Sequence, residues 1–461
     1  MPENLNRREF MKALGLTGAG VALTAGMTPE MVEATANNKP GEAVSKYWWV
    51  KNVDKPTTEI DWNAVKRYNE WETLRGSGTD YMGADRVKQL GDIYKEKAKK
   101  WELEGKPGYT TKDHALRAAT GYRGNLAPSF LGAQKAQTPQ ERGMPRYEGT
   151  PEENSRIVRA ALRHMGAMSV GFVELEDATT KKLIYNEDPA PSKKKILFQD
   201  VDMGYEEDDK AVIPNKARWV IVYSIQMDGD TMRSCPTPLG AQTTGLSYTR
   251  LWLSLNQLQE FIRGLGYTAY GPTRSNGLGI YPAFGVMAGL GEMSRTNRLV
   301  TPEYGPMVRL TMVVTDLPLA PTKPIDFGLH NFCKTCKICA ELCPPRALSF
   351  DTEPSWKPVG PWNNAGHRAW FEHSVHCRNY QRGEAGTNCG ICFSVCPYNK
   401  SDEASIHELW KATAAKTGAF NGTISKMDRA VYDSFKNPED WWKVEDRAAY
   451  GIDTKAGKLR T

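Results

Sequence analysis

The sequence lacks a convincing membrane-spanning segment and a strong excess of one charge. Its N-terminal apolar run, residues 13–26, falls short of the roughly 20 residues that a spanning helix needs, and glycine and threonine dilute it. The 60 basic and 54 acidic residues are interspersed and give a net charge of +6, so we expect no nucleic-acid partner. An apolar share of 40% excludes disordered and collagen-like chains and allows several folded domains.

Cysteine is scarce outside one short region, since eight of the nine cysteines lie between Cys333 and Cys396. The first four follow the spacing Cys-x2-Cys-x2-Cys-x3-Cys-Pro of bacterial two-cluster ferredoxins, and the second four keep its last part. In such ferredoxins the fourth cysteine of each run binds the other cluster. The crossed pattern predicts one [4Fe–4S] cluster on Cys333, Cys336, Cys339 and Cys396, and a second on Cys343, Cys377, Cys389 and Cys392.

Zinc is the alternative metal, because tetrahedral zinc sites also use Cys-x2-Cys pairs. A zinc site would use two separated pairs, whereas here three cysteines follow one another at three-residue steps with proline after the fourth. The pattern therefore favours iron–sulfur clusters. Cys235 belongs to no motif, and we expect it to be a small buried residue.

The N-terminus resembles an export signal. Arg7 and Arg8 stand in the order Arg-Arg-x-Phe-x-Lys before the apolar run, and small residues at 34–36 offer a cleavage site. A twin-arginine signal carries folded proteins, which suits a protein whose clusters must be inserted in the cytoplasm. The sequence predicts a signal peptide over residues 1–36.

Helices and strands are predicted to alternate between residues 150 and 316, which favours an α/β core. Thr150 before Pro151 and two acidic residues predicts a helix start. Strands are expected at 169–175, 218–227, 267–271 and 307–316, and helices at 242–264 and 282–291. The predicted domains are an irregular, partly helical wrap (37–150), a core (151–325), a ferredoxin-like unit (326–405) and a C-terminal segment that packs on the core (406–461).

Two clusters can conduct electrons, and the long segment before them is expected to hold the group that receives these electrons. Here the chain resembles the respiratory reductive dehalogenases, which are corrinoid and iron–sulfur enzymes of organohalide respiration. The resemblance rests on the twin-arginine signal, both cysteine sets, and segments at residues 148–154, 289–292, 301–306 and 315–321. It implies an α/β (α+β) nitroreductase-like core that binds a base-off cobamide, with the ferredoxin-like unit packed against it.

The resemblance also implies catalytic residues. The family's proton-donor tyrosine falls on Tyr248, its substrate-side asparagine on Asn276 and its basic partner, by spacing, on Arg309, with Arg295 as a rival. Taken alone, these residues could be a core aromatic, a turn residue before Gly277 and a strand-edge charge. A phenol is a weak acid at neutral pH, and a nearby guanidinium would help it to release its proton.

The cobamide rests on the resemblance alone, because the Asp-x-His-x-x-Gly motif of His-on corrinoid proteins is absent from the sequence. This absence agrees with cobalt that has no protein axial ligand. The family implies a small organohalide as substrate, and docking on the outer face of the membrane through a separate anchor protein or redox complex. Two alternatives are an epoxyqueuosine reductase, which the export signal disfavours, and an exported electron-transfer subunit, which the long core disfavours. Candidate pocket aromatics are Trp48, Trp49, Trp101, Trp362, Trp370 and Tyr380.

Overall fold

The computed structural model describes residues 47–73, 78–121, 126–188, 193–400, 405–431 and 435–452. The predicted signal peptide lies outside the described residues. The strands are β1 Lys51–Asn52, β2 Ser169–Glu174, β3 Lys195–Gln199, β4 Tyr205–Glu206, β5 Lys210–Pro214, β6 Trp219–Gln226, β7 Ala269–Tyr270, β8 Glu292–Met293, β9 Leu299–Val300, β10 Val308–Thr315 and β11 Ile325–Asp326.

The α-helices fall into three groups along the chain. Those before the core are α1 Gly78–Met82, α2 Ala84–Leu103 and α3 Thr111–Gly121. Those of the core are α4 Pro151–His164, α5 Gly229–Met232, α6 Pro238–Leu265 and α7 Tyr281–Met287. Those of the cysteine region and the segment after it are α8 Leu329–Thr335, α9 Ile338–Glu341, α10 Ser374–Asn379, α11 Ile391–Ser394, α12 Ser405–Lys416, α13 Asn421–Val431 and α14 Pro438–Trp442.

The core is an antiparallel sheet in the order β2-β6-β10-β7 with helices on both faces. Successive side chains of a strand point to opposite faces. Accordingly, Ile221 and Tyr223 of β6 pack with the apolar residues of α4 and α6, while Val220 and Val222 pack toward α7. The sheet is therefore buried on both sides, which explains the nearly continuous apolar sequence of β6.

Helix α4 begins where the sequence predicts. The Thr150 side chain accepts a hydrogen bond from the Glu153 backbone N–H, and the Glu153 carboxylate accepts one from the Thr150 N–H. This reciprocal capping box satisfies two backbone donors that the first turn would otherwise leave unpaired.

Helix α6 starts four residues before the predicted Gln242, because Thr237 caps it by accepting from the Gly240 N–H and Pro238 occupies its first position. Leu251, Leu255, Leu258 and Ile262 are buried as expected. Tyr248 is only partly buried and lies outside that apolar cluster. Tyr248 therefore lies at the edge of the core.

The region before the core is more regular than its sequence suggests. Helix α2 spans 20 residues, and its Lys97 donates to the Gly383 carbonyl in the cysteine region. Helix α3 packs along α6. These helices place the N-terminal region over both the core and the second set of cysteines.

Candidate functional site

The four cysteines predicted to bind the second cluster line one cavity of about 260 Å³. Cys343 comes from the first cysteine motif, whereas Cys377, Cys389 and Cys392 come from the second. Burial raises the pKa of Cys389 to about 12 and that of Cys392 to about 11, so these thiols are costly to ionise without a metal. The arrangement suits a metal cluster that is held by thiolates from both motifs.

The four cysteines predicted to bind the first cluster also lie near one another. Burial raises the pKa of the Cys396 thiol, and the charges of Cys333 and Cys336 raise it further. The pKa of Cys339 is raised by burial and then by Cys336, Cys333 and Cys396. Cys333 and Cys336 are also buried in one apolar cluster, and Cys339 and Cys396 pack against that cluster. The ninth cysteine, Cys235, is buried close to Cys389 and Cys392.

The cysteine region packs directly against the core through Gly305. This glycine has a φ of +58°, and a Cβ at this position would lie 2.5 Å from the Tyr398 carbonyl carbon. Tyr398 follows Cys396 by two residues and is fully buried. Only glycine allows this close backbone approach, which explains the glycine in the segment at 301–306.

Tyr248, Asn276 and Arg309 meet at the edge of the core. The Tyr248 hydroxyl donates to the Asn276 Oδ1 at 3.4 Å, and the Arg309 Cζ lies 5.3 Å from the centre of the Tyr248 ring. The Arg309 Nη2 donates to the Thr244 Oγ1 at 3.1 Å. Thr244 and Tyr248 are one helical turn apart on α6, so a single guanidinium reaches both residues.

This group borders the cavity of the second set of cysteines, because Thr244 and Arg309 also line that cavity. Arg309 reaches it from β10, where alternation puts its side chain on the same face as Val313, the face that α6 covers. The centre of the Phe393 ring, in the residue after Cys392, lies 5.4 Å from the Arg309 Cζ. The three residues named by the resemblance are thus neighbours of one another and of the cysteine cavity.

Arg295 lies elsewhere. It occupies the loop between β8 and β9, and its guanidinium donates to backbone carbonyls that include those of Cys333 and Cys336. The structure therefore places Arg309, and not its rival Arg295, beside Tyr248.

The same loop carries a residue that the sequence analysis missed. The Arg298 Nη2 pairs with the Glu372 Oε2 at 2.7 Å, and both residues line the cavity of the second set of cysteines. Burial lowers the pKa of Arg298, but Glu372 and the cysteines Cys392 and Cys377 outweigh burial and raise it overall. Nothing in the sequence distinguishes Arg298 from other arginines, because its partner is 74 residues away.

Two further cavities continue from the first. One, of about 270 Å³, shares Arg298, Glu372 and Cys377 with the cysteine cavity and reaches Asn276. The next, of about 420 Å³, shares Asn297 and Trp362 with the second and is mostly apolar. The three cavities form a continuous series that runs from the cysteines past Asn276.

Unsatisfied amide oxygens line the largest of these three cavities. The Oδ1 atoms of Asn297, Asn363 and Asn364 are buried and accept no hydrogen bond within the described residues. His367 also lines it, and burial lowers its pKa to about 4, so its imidazole is neutral at pH 7. Buried acceptors of this kind normally have partners. An apolar cavity with several amide acceptors fits a large, flat ligand that carries amide donors, and the corrin ring of a cobamide is such a ligand.

Among the residues that the structure describes, none of the helices combines the length and the apolar character that a bilayer crossing requires. An α-helical and β-sheet core that is joined to paired four-cysteine sets defines an iron–sulfur redox protein. Comparison with known proteins narrows this class to a family.

Residues 45–319 match the family model described as reductive dehalogenase subunit, and residues 332–399 match the 4Fe-4S double cluster binding domain. The trichloroethene reductive dehalogenase of Dehalococcoides mccartyi is 30% identical over 96% of this chain and 97% of its own length. The chain therefore belongs to the reductive dehalogenase family, oxidoreductases that act on carbon–halogen bonds. This confirms the resemblance, and it favours this family over both alternatives.

Solved structures of reductive dehalogenases share the fold. A catabolic reductive dehalogenase in complex with 3-bromo-4-hydroxybenzoic acid matches with a TM-score of 0.60 and 21% identity over 88% of this chain. Another, described as suggesting a mechanism for B12-dependent dehalogenation, matches with a TM-score of 0.58 and 21% identity over 88% of this chain. The chain spans about half the length of these two proteins, 52% in each case. The predicted mixed helix-and-sheet fold with a two-cluster ferredoxin-like unit is confirmed.

Proposed function

We propose that this chain catalyses the cobamide-dependent reductive removal of halide from a small organohalide, as the terminal step of an anaerobic respiration. The observation that carries the proposal is the position of Tyr248, Asn276 and Arg309. They lie where the cysteine cavity meets the larger cavities. This arrangement would put a proton donor between a source of electrons and a site for a large cofactor.

The proposed ligands of the clusters follow the crossed pattern. Cys333, Cys336, Cys339 and Cys396 would bind the first cluster, and Cys343, Cys377, Cys389 and Cys392 the second. The shared cavity of the second group and the mutual electrostatic effects of the first support this assignment. The second cluster borders Arg309, so electrons would enter through the first cluster and leave through the second.

The largest cavity is the proposed cobamide site. Asn297, Asn363, Asn364 and His367 would accept hydrogen bonds from the amide side chains of the ring, while Ile280 and Val286 provide apolar contacts. When bound, a base-off cobamide supplies cobalt that is strongly reducing and strongly nucleophilic once reduced. The relative described as B12-dependent supports the choice of cofactor.

The chain's own residues would move the proton and stabilise the charges. Replacement of halogen by hydrogen takes up two electrons and one proton and releases halide. Tyr248 would donate the proton from its hydroxyl, which Asn276 orients by accepting a hydrogen bond. The Arg309 guanidinium keeps its charge at any physiological pH and would stabilise the resulting phenolate. The same charge would also attract the departing halide.

The proposal is tested on anaerobically purified protein. It should contain about eight iron atoms per chain, as two [4Fe–4S] clusters require, together with corrinoid absorbance and little zinc. Assays over chlorinated ethenes, ethanes and arenes should show halide release that depends on a low-potential reductant. Stoichiometric zinc, or iron–sulfur protein that holds corrinoid but dehalogenates nothing, would contradict the proposal.

We further propose that the protein is exported by the twin-arginine route and docks on the outer face of the membrane through a separate anchor protein or redox complex. Arg7 and Arg8 and the apolar run after them support this. We expect the mature protein to fractionate with membranes and to be released by high salt or mild detergent. An Arg7→Lys, Arg8→Lys variant should stay in the cytoplasm with its N-terminus uncleaved. Export of this double variant at the parent level would refute the assignment.

A further inference from the structure

A buried arginine that forms no ion pair with a carboxylate of the described residues lies against the first set of cysteines. The Arg295 side chain is 1% exposed, and its hydrogen bonds within the described residues all go to backbone carbonyl oxygens. Arg298, three residues later in the same loop, has Glu372 as its ion-pair partner. The two arginines therefore differ in how their charge is balanced.

The Arg295 guanidinium joins two stretches of the cysteine region. Its Nη2 donates to the Cys333 carbonyl at 2.6 Å and its Nε to the Cys336 carbonyl at 3.3 Å. Its Nη1 donates to the carbonyls of Ser349 and Asp351 at 2.8 and 2.7 Å. The fixed fork of the guanidinium thus holds the C-terminal end of α8, which carries Cys333 and is followed by Cys336, against the segment that follows the motif.

Carbonyl oxygens satisfy the donors of Arg295 but do not cancel its charge. An uncompensated buried charge is strongly destabilising, so a negative group is expected nearby. The guanidinium bonds to the backbone carbonyls of Cys333 and Cys336, so its charge lies beside two of the proposed cluster ligands. A cluster held by four thiolates carries net negative charge and would balance the arginine.

We propose that Arg295 is a positioning residue that orders the loop of the first cluster and raises the reduction potential of that cluster. Reduction adds one negative charge to the cluster, and a fixed positive charge in a dry, low-dielectric site stabilises the reduced state more than the oxidised state. The proposal rests on the proposed function, since it requires the two clusters. It assigns Arg295 to electron entry and not to the chemistry at Tyr248.

The test is a redox titration of the full-length, cluster-loaded protein, followed by electron paramagnetic resonance. Arg295→Gln should lower one of the two midpoint potentials and leave the other unchanged. Measured at the parent's midpoint potential, the ratio of reduced to oxidised first cluster should fall roughly tenfold. For a one-electron couple, this corresponds to a midpoint potential that is lower by about 59 mV. Lys334→Gln is the matched control. It removes one charge from the end of α8, next to Cys333, but from a side chain that is partly exposed to solvent and paired with Glu353, so its shift should be much smaller.

The outcomes separate this inference from the proposed function. A parent without two cluster signals would contradict the proposed function itself. With two signals in the parent, an unchanged potential in iron-replete Arg295→Gln, or equal shifts in Arg295→Gln and Lys334→Gln, would overturn the inference alone. If Arg295→Gln loses iron, Arg295→Lys decides. The Arg295→Lys protein should regain the iron content of the parent. The midpoint potential of its first cluster should differ from the parent's by less than the shift that corresponds to a tenfold change in the ratio of reduced to oxidised cluster. Failure of either result overturns the inference.

Discussion

Tyr248→Phe is expected to lower the turnover of dehalogenation by about 10²–10⁴, the usual loss when a positioned general acid is removed. The change deletes one hydroxyl, whose acceptor in the structure is the Asn276 Oδ1. The ring itself stays in contact with Arg309. Iron content, corrinoid content and thermal stability should therefore remain those of the parent. The measurement is the rate of halide release at saturating substrate, with both cofactors quantified in the same preparation.

Tyr267→Phe is the matched control for this prediction. Tyr267 lies just beyond the far end of α6, and its hydroxyl donates to the Tyr147 carbonyl at 3.0 Å, away from the cysteine cavity. Tyr267→Phe loses the same hydroxyl, but from the apolar cluster between α6 and the sheet, so turnover should stay within about threefold of the parent. Arg309→Lys keeps a positive charge beside Tyr248 but loses the planar, forked guanidinium. It should therefore retain more activity than Arg309→Met, which loses both. Near-full turnover of cofactor-replete Tyr248→Phe would show that Tyr248 is only a structural residue.

The sequence predicts those elements whose formation depends on local interactions. The start of α4 follows from Thr150 and Glu153, which satisfy each other's backbone donors. The buried face of α6 follows from the three- and four-residue spacing of its leucines. Helices α2 and α3 pack on the segment Tyr380–Glu384 and on α6, respectively, and both partners are far away along the chain. The formation of these two helices depends on tertiary packing, which the spacing of apolar residues along the chain does not reveal.

The site shows the same division. The eight candidate cluster ligands can be predicted from the sequence, because the cysteines of ferredoxins follow a fixed spacing along the chain. Arg295, Arg298 and Arg309 are indistinguishable by residue type, and only the fold separates them. The β8–β9 hairpin sends Arg295 toward the Cys333 loop and Arg298 toward Glu372, while β10 presents Arg309 to α6. The unsatisfied amides of the largest cavity come from two distant segments, so no short sequence motif predicts them.

Cys396→Ala is expected to remove the first cluster and leave the second, although Cys396 belongs to the second motif. Its thiol is buried, and its ionisation is opposed by burial and then by the charges of Cys333 and Cys336. Loss of this ligand would leave three thiols that lack a fourth partner for the metal. Iron content should fall to about half of the parent value, as expected for loss of one of two [4Fe–4S] clusters. Dehalogenation driven by a donor that reduces the first cluster should be abolished.

The identity of the lost cluster decides whether the ligands cross. In a crossed arrangement, the signal that remains in Cys396→Ala matches that of Cys336→Ala and differs from that of Cys389→Ala. The lost signal should also be the one whose midpoint moves in Arg295→Gln, because Arg295 bonds to the Cys333 and Cys336 carbonyls. Cys235→Ser is the control, since Cys235 lies near Cys389 and Cys392 but belongs to no motif, and it should keep full iron. If the signal that remains in Cys396→Ala matches that of Cys389→Ala, each motif binds its own cluster. The proposed order of electron transfer, from the first cluster to the second, would then be wrong.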